Sequence, residues 1–422
     1  MRTRIPARWV AILVFILSSV LNYLDRQVLA TMVDIWRTRP DFPFTYSDYG
    51  LLLTVFSISY AVSALFMGWF VDRAGLNRGA TIGVALWAIA SFGTGTSHSV
   101  GEMLVWRALL GVAEAGAIAA VTKAIGMYLL PKERAVGQAM SQLGLSLGAG
   151  LAPRFALFFA YQYSWRWTFF AAALLSLAWI PVWLATSRAV RPARQPEIAK
   201  TAARSFGLFA DPKLWALIVA NMLGMTIYSL WSNWPPTYLI HVHHLTPLQA
   251  GAYTWIPPIA AYFGGLLGGS VSWGLVRRGM TPVAARKRAC FVAALLLLGT
   301  AAIPLLPTPA LATAGISLSF FLVAAWSVNH YTLPIDIYGA RSVGFAVSTL
   351  VFAYGLMQAV VSTPLARVIE IYGFEPICFV FALLPLAGYA LVHFTVRDDA
   401  GVDAVASLPL EAGVTAAPPA LS

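Results

Sequence analysis

W-V-A-I-L-V-F-I-L-S-S-V-L-N-Y-L-D-R-Q-V-L-A-T-M-V, from Trp9 to Val33, decides how this chain is read. A helix rises 1.5 Å per residue, so about 20 apolar residues cross a hydrocarbon core of ~30 Å. This stretch exceeds that length and also exceeds the apolar region of a cleavable signal peptide, and it lacks a small-residue cleavage site. It therefore reads as a first membrane helix. Within it, Asn22-Tyr23-Leu24-Asp25-Arg26-Gln27 places an acid and a base side by side in apolar surroundings. Charge there is costly and marks a functional site by default.

The rest of the chain extends that reading. Hydrophobic residues make up 59% of the 422 and charged residues 11%, whereas a soluble globule averages about 25% charged. Roughly twelve stretches are long and apolar enough to span, near 9 to 33, 49 to 71, 79 to 97, 102 to 130, 135 to 160, 166 to 187, 213 to 240, 248 to 276, 288 to 306, 310 to 335, 342 to 369 and 374 to 396. The expected fold is an all-α integral membrane protein of twelve transmembrane helices.

The net charge of +11 follows topology and does not point to nucleic acid. Arg2, Arg4 and Arg8, then Arg73 and Arg78, Lys132 and Arg134, Arg188 to Arg204, and Arg277 to Arg288 all fall in alternate loops. By the positive-inside rule these loops and both termini are cytoplasmic. Arg37 and Arg39 are the exception, in the first outer loop. The polar, basic segment 188–211 separates an N-terminal bundle of six helices, 1–187, from a C-terminal one, 212–396. Residues 397–422 lack apolar periodicity and read as a disordered cytoplasmic tail. Cys290 and Cys378 lie far apart in apolar spans and read as core residues, not as a disulfide or metal pair.

An internal repeat supports two halves. Gly68-Trp69-Phe70-Val71-Asp72-Arg73-Ala74-Gly75 ends the second span, and Gly269 to Gly279, with Arg277-Arg278-Gly279, ends the eighth. Parallel repeats of this kind are the pattern of rocking transporters, with the substrate held between the halves near the midplane. In the first copy, glycine permits a tight turn while Asp72 and Arg73 are placed to act as gating charges.

The G-x-x-x-D-R-x-G block resembles the signature of the major facilitator superfamily. Within it, N-Y-L-D-R-Q, then R-x-L-L-G-x-x-E-A-G from Arg107 to Gly116, K-E-R-A from Lys132 and L-G-A-x-L-A-P from Leu147 resemble the anion:cation symporters. Trp255-Ile256-Pro257-Pro258, Gly268-Gly269 and Ala285-Arg286-Lys287 resemble the hexuronate and galactonate-type sugar-acid members most closely. The resemblance implies two pseudo-symmetric six-helix bundles, a monomer, a bacterial inner membrane and a proton gradient in place of any cofactor. The chain departs from the pattern at Ala117 and Ala119, where Asn and Pro are usual, at Arg154 in place of a second proline, and at Trp273 in place of an acid.

Four charges carry the chemistry. Helix rise puts Asp25 and Arg107 at similar depth and Glu114, seven residues on from Arg107, on the same helix face nearer the centre. A guanidinium keeps its charge and offers a planar fork that fits a carboxylate, so Arg26 and Arg107 are candidate ligands of an organic anion. A carboxyl group out of water can load and release a proton near neutrality, so Asp25 and Glu114 are candidate proton sites. Protonating one would free an arginine for the substrate. The resemblance assigns the same roles to these positions. The competing reading is a structural ion pair that clamps helices.

Tyr23, Gln142, Asn233, Asn329 and Gln358 are further candidate substrate ligands, since amides and phenols both donate and accept toward sugar hydroxyls. Each also suits helix packing. His330 reads as packed sooner than as a proton relay, and Lys123 as snorkelling to the cytoplasmic surface. Trp165, Trp167, Trp231, Trp234 and Trp255 are expected in an interfacial aromatic belt, and Gly144, Gly148 and Gly150 at a close helix contact.

An enzyme is excluded by the lack of zinc-protease spacing, a G-x-S-x-G elbow and clustered His or Cys. The expected function is proton-coupled import of a sugar acid such as a hexuronate or galactonate. The alternatives are a small mono- or dicarboxylate symporter and a proton-driven exporter of metabolites or drugs. The expected partners are a small organic anion, protons and lipid.

Overall fold

The computed structural model describes residues 6–130, 133–192 and 206–398. The tail beyond 398 and most of the 188–211 segment, both singled out in the sequence, lie outside the described residues.

The helices are α1 Ala7–Arg37, α2 Tyr46–Ala74, α3 Leu76–Thr96, α4 Val100–Glu114, α5 Ala117–Tyr128, α6 Arg134–Gln162, α7 Trp165–Ala189, α8 Pro212–Gly224, α9 Thr226–Asn233, α10 Pro235–His243, α11 Pro247–Tyr253, α12 Ile256–Arg277, α13 Pro282–Leu297, α14 Pro309–Tyr372 and α15 Glu375–Thr395. Among the described residues, eleven helical stretches are long and apolar enough to cross a membrane. The remaining expected span coincides with α2, a helix of 29 residues.

Local chemistry sets the ends. Threonine or aspartate caps followed by proline open α8, α11, α13 and α14, because the cap satisfies a free N–H and proline is preset for the first helical turn. α2 begins with a reciprocal capping box between Thr45 and Asp48. Gly75 ends it at φ 80°, and Gly279 closes the corresponding loop of the second half at φ 95°. Both turns need the left-handed region that glycine enters without strain. At Gly339, φ 69° breaks α14 into two arms, Pro309–Gly339 and Phe345–Tyr372. Several spans are discontinuous. The fourth is interrupted at Ala115 and Gly116, directly after Glu114, and the seventh at Met225 and Trp234.

The apolar cores differ between the two ends. Toward the arginine-poor end, one continuous cluster joins Trp36, Tyr49 and Phe169 of α1, α2 and α7 to Trp231, Trp234 and Phe374, between α9 and the start of α15. Elsewhere the clusters stay within a half: Phe15, Trp87 and Trp183 in the first, Leu214, Leu350 and Val392 in the second. The seam between α2 and the second arm of α14 is built from small residues. A Cβ added at Gly50 would lie 2.7 Å from the Ala366 Cβ, and one at Gly355 would lie 2.8 Å from the Ala61 Cβ.

Three of the five tryptophans expected in an interfacial belt are instead core. Trp165, Trp231 and Trp234 are 3%, 1% and 1% exposed, because they pack into the shared apolar cluster against neighbouring helices. Trp167 and Trp255 are exposed as the belt requires. Lys123 does not reach for the surface; its Nζ donates to the Val71 carbonyl at 2.9 Å. Cys290 and Cys378 are buried free thiols.

The span-five glycines do meet close neighbours: Gly144 faces Ile16, Gly148 the Val20 backbone and Gly150 the Trp255 carbonyl. Overpacking such a contact costs about 1–3 kcal/mol. Gly148→Val should therefore lower the thermal midpoint of the detergent-solubilised protein by several degrees, while Gly126→Ala, where no atom stands within 4 Å, should leave it near the parent value. Equal midpoints in the two variants would contradict the contact.

Candidate functional site

Asp25 and Arg26 are one residue apart on α1 and point to different partners, as a helical quarter-turn requires. Arg26 Nη2 donates to Glu114 Oε2 at 2.7 Å and Nε to the same oxygen at 3.1 Å. Glu114, the last residue of α4, is fully buried, and its Oε1 has no hydrogen-bond partner. The Arg26 side chain keeps 21% of its surface exposed. The guanidinium also sits 4.9 Å from the Tyr23 ring, 4.8 Å from Phe56 and 5.1 Å from Tyr60. Desolvated cation–π contacts of this kind are worth up to about 2 kcal/mol.

Asp25 turns the other way. Its Oδ1 accepts from Ser91 Oγ of α3 at 2.5 Å, and Oδ2 is buried without a partner. Arg107 is 2% exposed, its Nε is unpartnered, and it interacts electrostatically with both Asp25 and Glu114. The four charges thus form one buried network in which only Arg26 keeps surface exposed.

The wall opposite comes from the second half. Tyr228, Tyr331 and Tyr354 are each partly exposed although they lie well inside their spans. The Tyr228 and Tyr354 rings meet edge to face at 6.2 Å, and both residues interact electrostatically with Arg26 and Tyr23. Gln358, partly exposed on the same arm as Tyr354, accepts a bond from Ser57 Oγ of α2 at 3.1 Å.

Other sequence candidates stand elsewhere. Asn233 is 6% exposed, and its amide donates to Ser229 within its own helix. Asn329 is fully buried and donates to the Gly268 and Ala325 carbonyls, tying α12 to α14. Their amide donors are engaged in packing, so the structure does not bring them to the charge cluster. Gln142 is exposed on α6, on the same helical face as Ala149, seven residues on, which lines a small cavity with Gln27, Thr31 and Trp231. His330 stacks on Trp326 at 4.5 Å with Nε2 2.9 Å from the Leu217 carbonyl oxygen, a packed residue. Arg73 is exposed, and the Asp72 side chain lies outside the described residues.

Ser91 and the three tyrosines of the facing wall escaped the sequence reading. Ser91 has no signal apart from its depth in a span. The three tyrosines of the second half share only their position away from the span ends.

A second polar constellation seals the arginine-poor end. Asp34, 6% exposed, accepts from Tyr46 at 3.0 Å and from Thr237 of the second half at 2.9 Å. Tyr49 donates to the Asn233 carbonyl at 2.9 Å. Arg154 stacks over Trp255 at 5.3 Å. The Asp34–Thr237, Tyr49–Asn233 and Arg154–Trp255 contacts cross between the halves.

The sequence matches the Major Facilitator Superfamily over residues 15–362. It is 25% identical over 411 residues to the hexuronate transporter of Escherichia coli (strain K12), covering 93% of this chain and 94% of that protein. It is 24% identical over 327 residues to the galacturonate transporter of Dickeya chrysanthemi, covering 73% and 94%. Among solved structures, a bacterial homolog of the human lysosomal transporter Spinster, inward-facing and unoccupied, superposes with a TM-score of 0.69 at 20% identity over 94% of this chain and 96% of that one. At that identity the likeness concerns the fold.

A hydrogen bond to a charged group is worth about 1.5–3 kcal/mol. Asp34→Ala removes the acceptor that Tyr46 and Thr237 share. Labelling of Thr31→Cys, a site 4% exposed behind the seal, by a membrane-impermeant maleimide should rise about tenfold in that background. An unchanged rate would mean that the apolar cluster alone holds the end shut.

Proposed function

The chain belongs to the Major Facilitator Superfamily, and from that premise we propose that it imports a small organic anion together with a proton, the anion being a sugar acid such as a hexuronate or galactonate. The fold and the family are those of a transporter and not of a catalytic enzyme. The observation that carries the finer reading is the 2.7 Å pair between a fully buried Glu114 and a partly exposed Arg26.

The mechanism follows from what each group can do. Arg26 keeps its charge under any physiological condition, so it always has an anion to find. With Glu114 ionised, that anion is Glu114. Breaking the pair while both stay charged and buried costs about 3–5 kcal/mol, which keeps a substrate carboxylate from displacing Glu114 cheaply. Protonated, Glu114 needs no cation, and Arg26 turns its planar fork to the substrate. Coupling is then a competition between two carboxylates for one guanidinium, decided by the proton. Asp25 is the second proton site, held by Ser91 and facing the field of Arg107. Tyr23 and Gln358 sit beside the exchange as substrate ligands.

In this reading the basic loops face the cytoplasm, by the positive-inside rule. The seal at Asp34, Tyr49 and Arg154 is then the closed outer gate, and the chain is inward-facing. Two six-helix bundles, 1–187 and 212–396, rock about the seam of α2 and α14, with Asp72 and Arg73 closing the inner side in the opposite state. The unit is a monomer in a bacterial inner membrane. The amino-acid relatives named for hexuronate and galacturonate support the sugar-acid assignment.

Purified protein in liposomes should accumulate glucuronate, galacturonate or galactonate when an inward proton gradient is imposed, and not a neutral hexose. Accumulation of lactate alone would keep the anion site and remove the sugar-acid assignment. Absence of any anion movement in verifiably folded protein would favour an exporter.

Glu114→Gln mimics the protonated acid. It should exchange substrate across equal concentrations near the parent rate while losing acid-driven accumulation by at least about tenfold, the scale of one buried charge interaction. Unchanged accumulation would move the proton site away from Glu114.

A further inference from the structure

We propose that the site admits monoanions and rejects dianions: Arg26 takes one carboxylate, and Tyr228, Tyr331 and Tyr354 take the uncharged, hydroxyl-bearing remainder of the same molecule. The inference rests on the anion-symport reading above and goes further by fixing the charge and polarity of the cargo.

The cations argue for it first. Arg107 is 2% exposed and interacts with both Asp25 and Glu114. Arg154 is held over Trp255 at the sealed end. In the second half, Arg286 donates to Ser272 at 2.5 Å and pairs with Asp336 at 3.4 Å. Lys287 is 5% exposed, donates to the Val396 carbonyl at 2.7 Å and pairs with Asp398 at 2.6 Å. Lys123 donates to the Val71 carbonyl. Among the described residues, therefore, Arg26 is the cation that faces the tyrosine wall, and a second carboxylate would enter without a partner.

The wall argues for it next. Its three tyrosines carry no charge and belong to three different spans: Tyr228 to α9, Tyr331 to the first arm of α14, and Tyr354 to the second. A phenol hydroxyl both donates and accepts, as an alcohol does, and its ring face covers C–H surface. The Tyr331 hydroxyl accepts from Asn221 Nδ2 at 3.3 Å, and the Asn221 amide also donates to the Leu350 carbonyl at 2.8 Å. That bond fixes the phenol and leaves its own O–H to donate into the gap. Across the gap stand Tyr23 and Tyr60 of the first half, stacked about Arg26. A cargo with one carboxylate and several hydroxyls fits this lining at every face.

Galactonate and galactarate test it, since they share a carbon skeleton and differ by CH2OH against a second carboxylate. Titration calorimetry on the purified parent protein, near pH 6, should give galactonate at least about a hundredfold tighter than galactarate, the scale of one unpaired buried charge. Tyr228→Phe and Tyr354→Phe should each raise KM for galactonate about fivefold with kcat little changed, the scale of one hydrogen bond. A purely packing role for these tyrosines would instead lower the thermal midpoint and leave KM alone, and that result overturns their part. Equal or tighter binding of galactarate overturns the inference while leaving anion symport in place. Accumulation of lactate with no binding of either sugar acid overturns the inference together with the sugar-acid assignment and leaves anion symport in place. No binding or movement of any anion overturns it together with the reading beneath it.

Discussion

A guanidinium that cannot give up its proton, held 2.7 Å from a carboxylate with no access to water, constrains everything around it. The pair is favourable only as a pair, since an isolated charge at that depth is several kcal/mol out of balance. In the proposed function, what separates Arg26 from Glu114 brings a proton for one and an anion for the other. The neighbouring groups follow from this. Tyr23, Phe56 and Tyr60 hold the guanidinium without neutralising it, so it stays available to a second carboxylate. Arg107, buried beside both acids, supplies the second positive charge, so that with Arg26 the two ionised carboxylates are balanced.

The scaffold serves the same constraint. Glu114 is the final residue of α4, and the chain breaks at Ala115 and Gly116 before α5 resumes. The carboxylate therefore sits at a helix interruption, where backbone and side chain can adjust together. Small residues let α2 and the second arm of α14 touch along their length, and α1 packs on α6 and α7. These contacts hold the charged face of the first half opposite the tyrosine face of the second. At the arginine-poor end the two halves share one apolar core and three polar contacts. The same interface that positions the site also joins the two halves at one end.

Sequence alone revealed the charges because their physics is local. Asp25, Arg26, Arg107 and Glu114 stand out in apolar runs whatever the tertiary structure, and the spans followed from length and composition for the same reason. What depended on which helix faces which did not emerge. Trp165, Trp231 and Trp234 have the composition of a belt and the burial of a core, and only the packing of the halves decides between these. Asn233 and Asn329 read as candidate substrate ligands in the sequence, and only the structure shows their donors bonded to carbonyls. Tyr228, Tyr331 and Tyr354 carry no sequence signal, since tyrosine in a span is ordinary, and their meaning arises when three spans bring them opposite Arg26. Asp34 falls just beyond the apolar stretch that reads as the first span, and its part in the seal depends on Thr237 of the other half beside it.

The most direct measurement is of protons themselves. Galactonate or galacturonate would be added to purified protein in weakly buffered solution near neutral pH, with the change in free proton concentration recorded. If the two carboxylates compete for Arg26, anion binding takes up protons and the medium turns alkaline, and Glu114→Gln binds the anion with that signal abolished or strongly reduced. Tight binding with no proton uptake by the parent protein would contradict the competition on which the account rests.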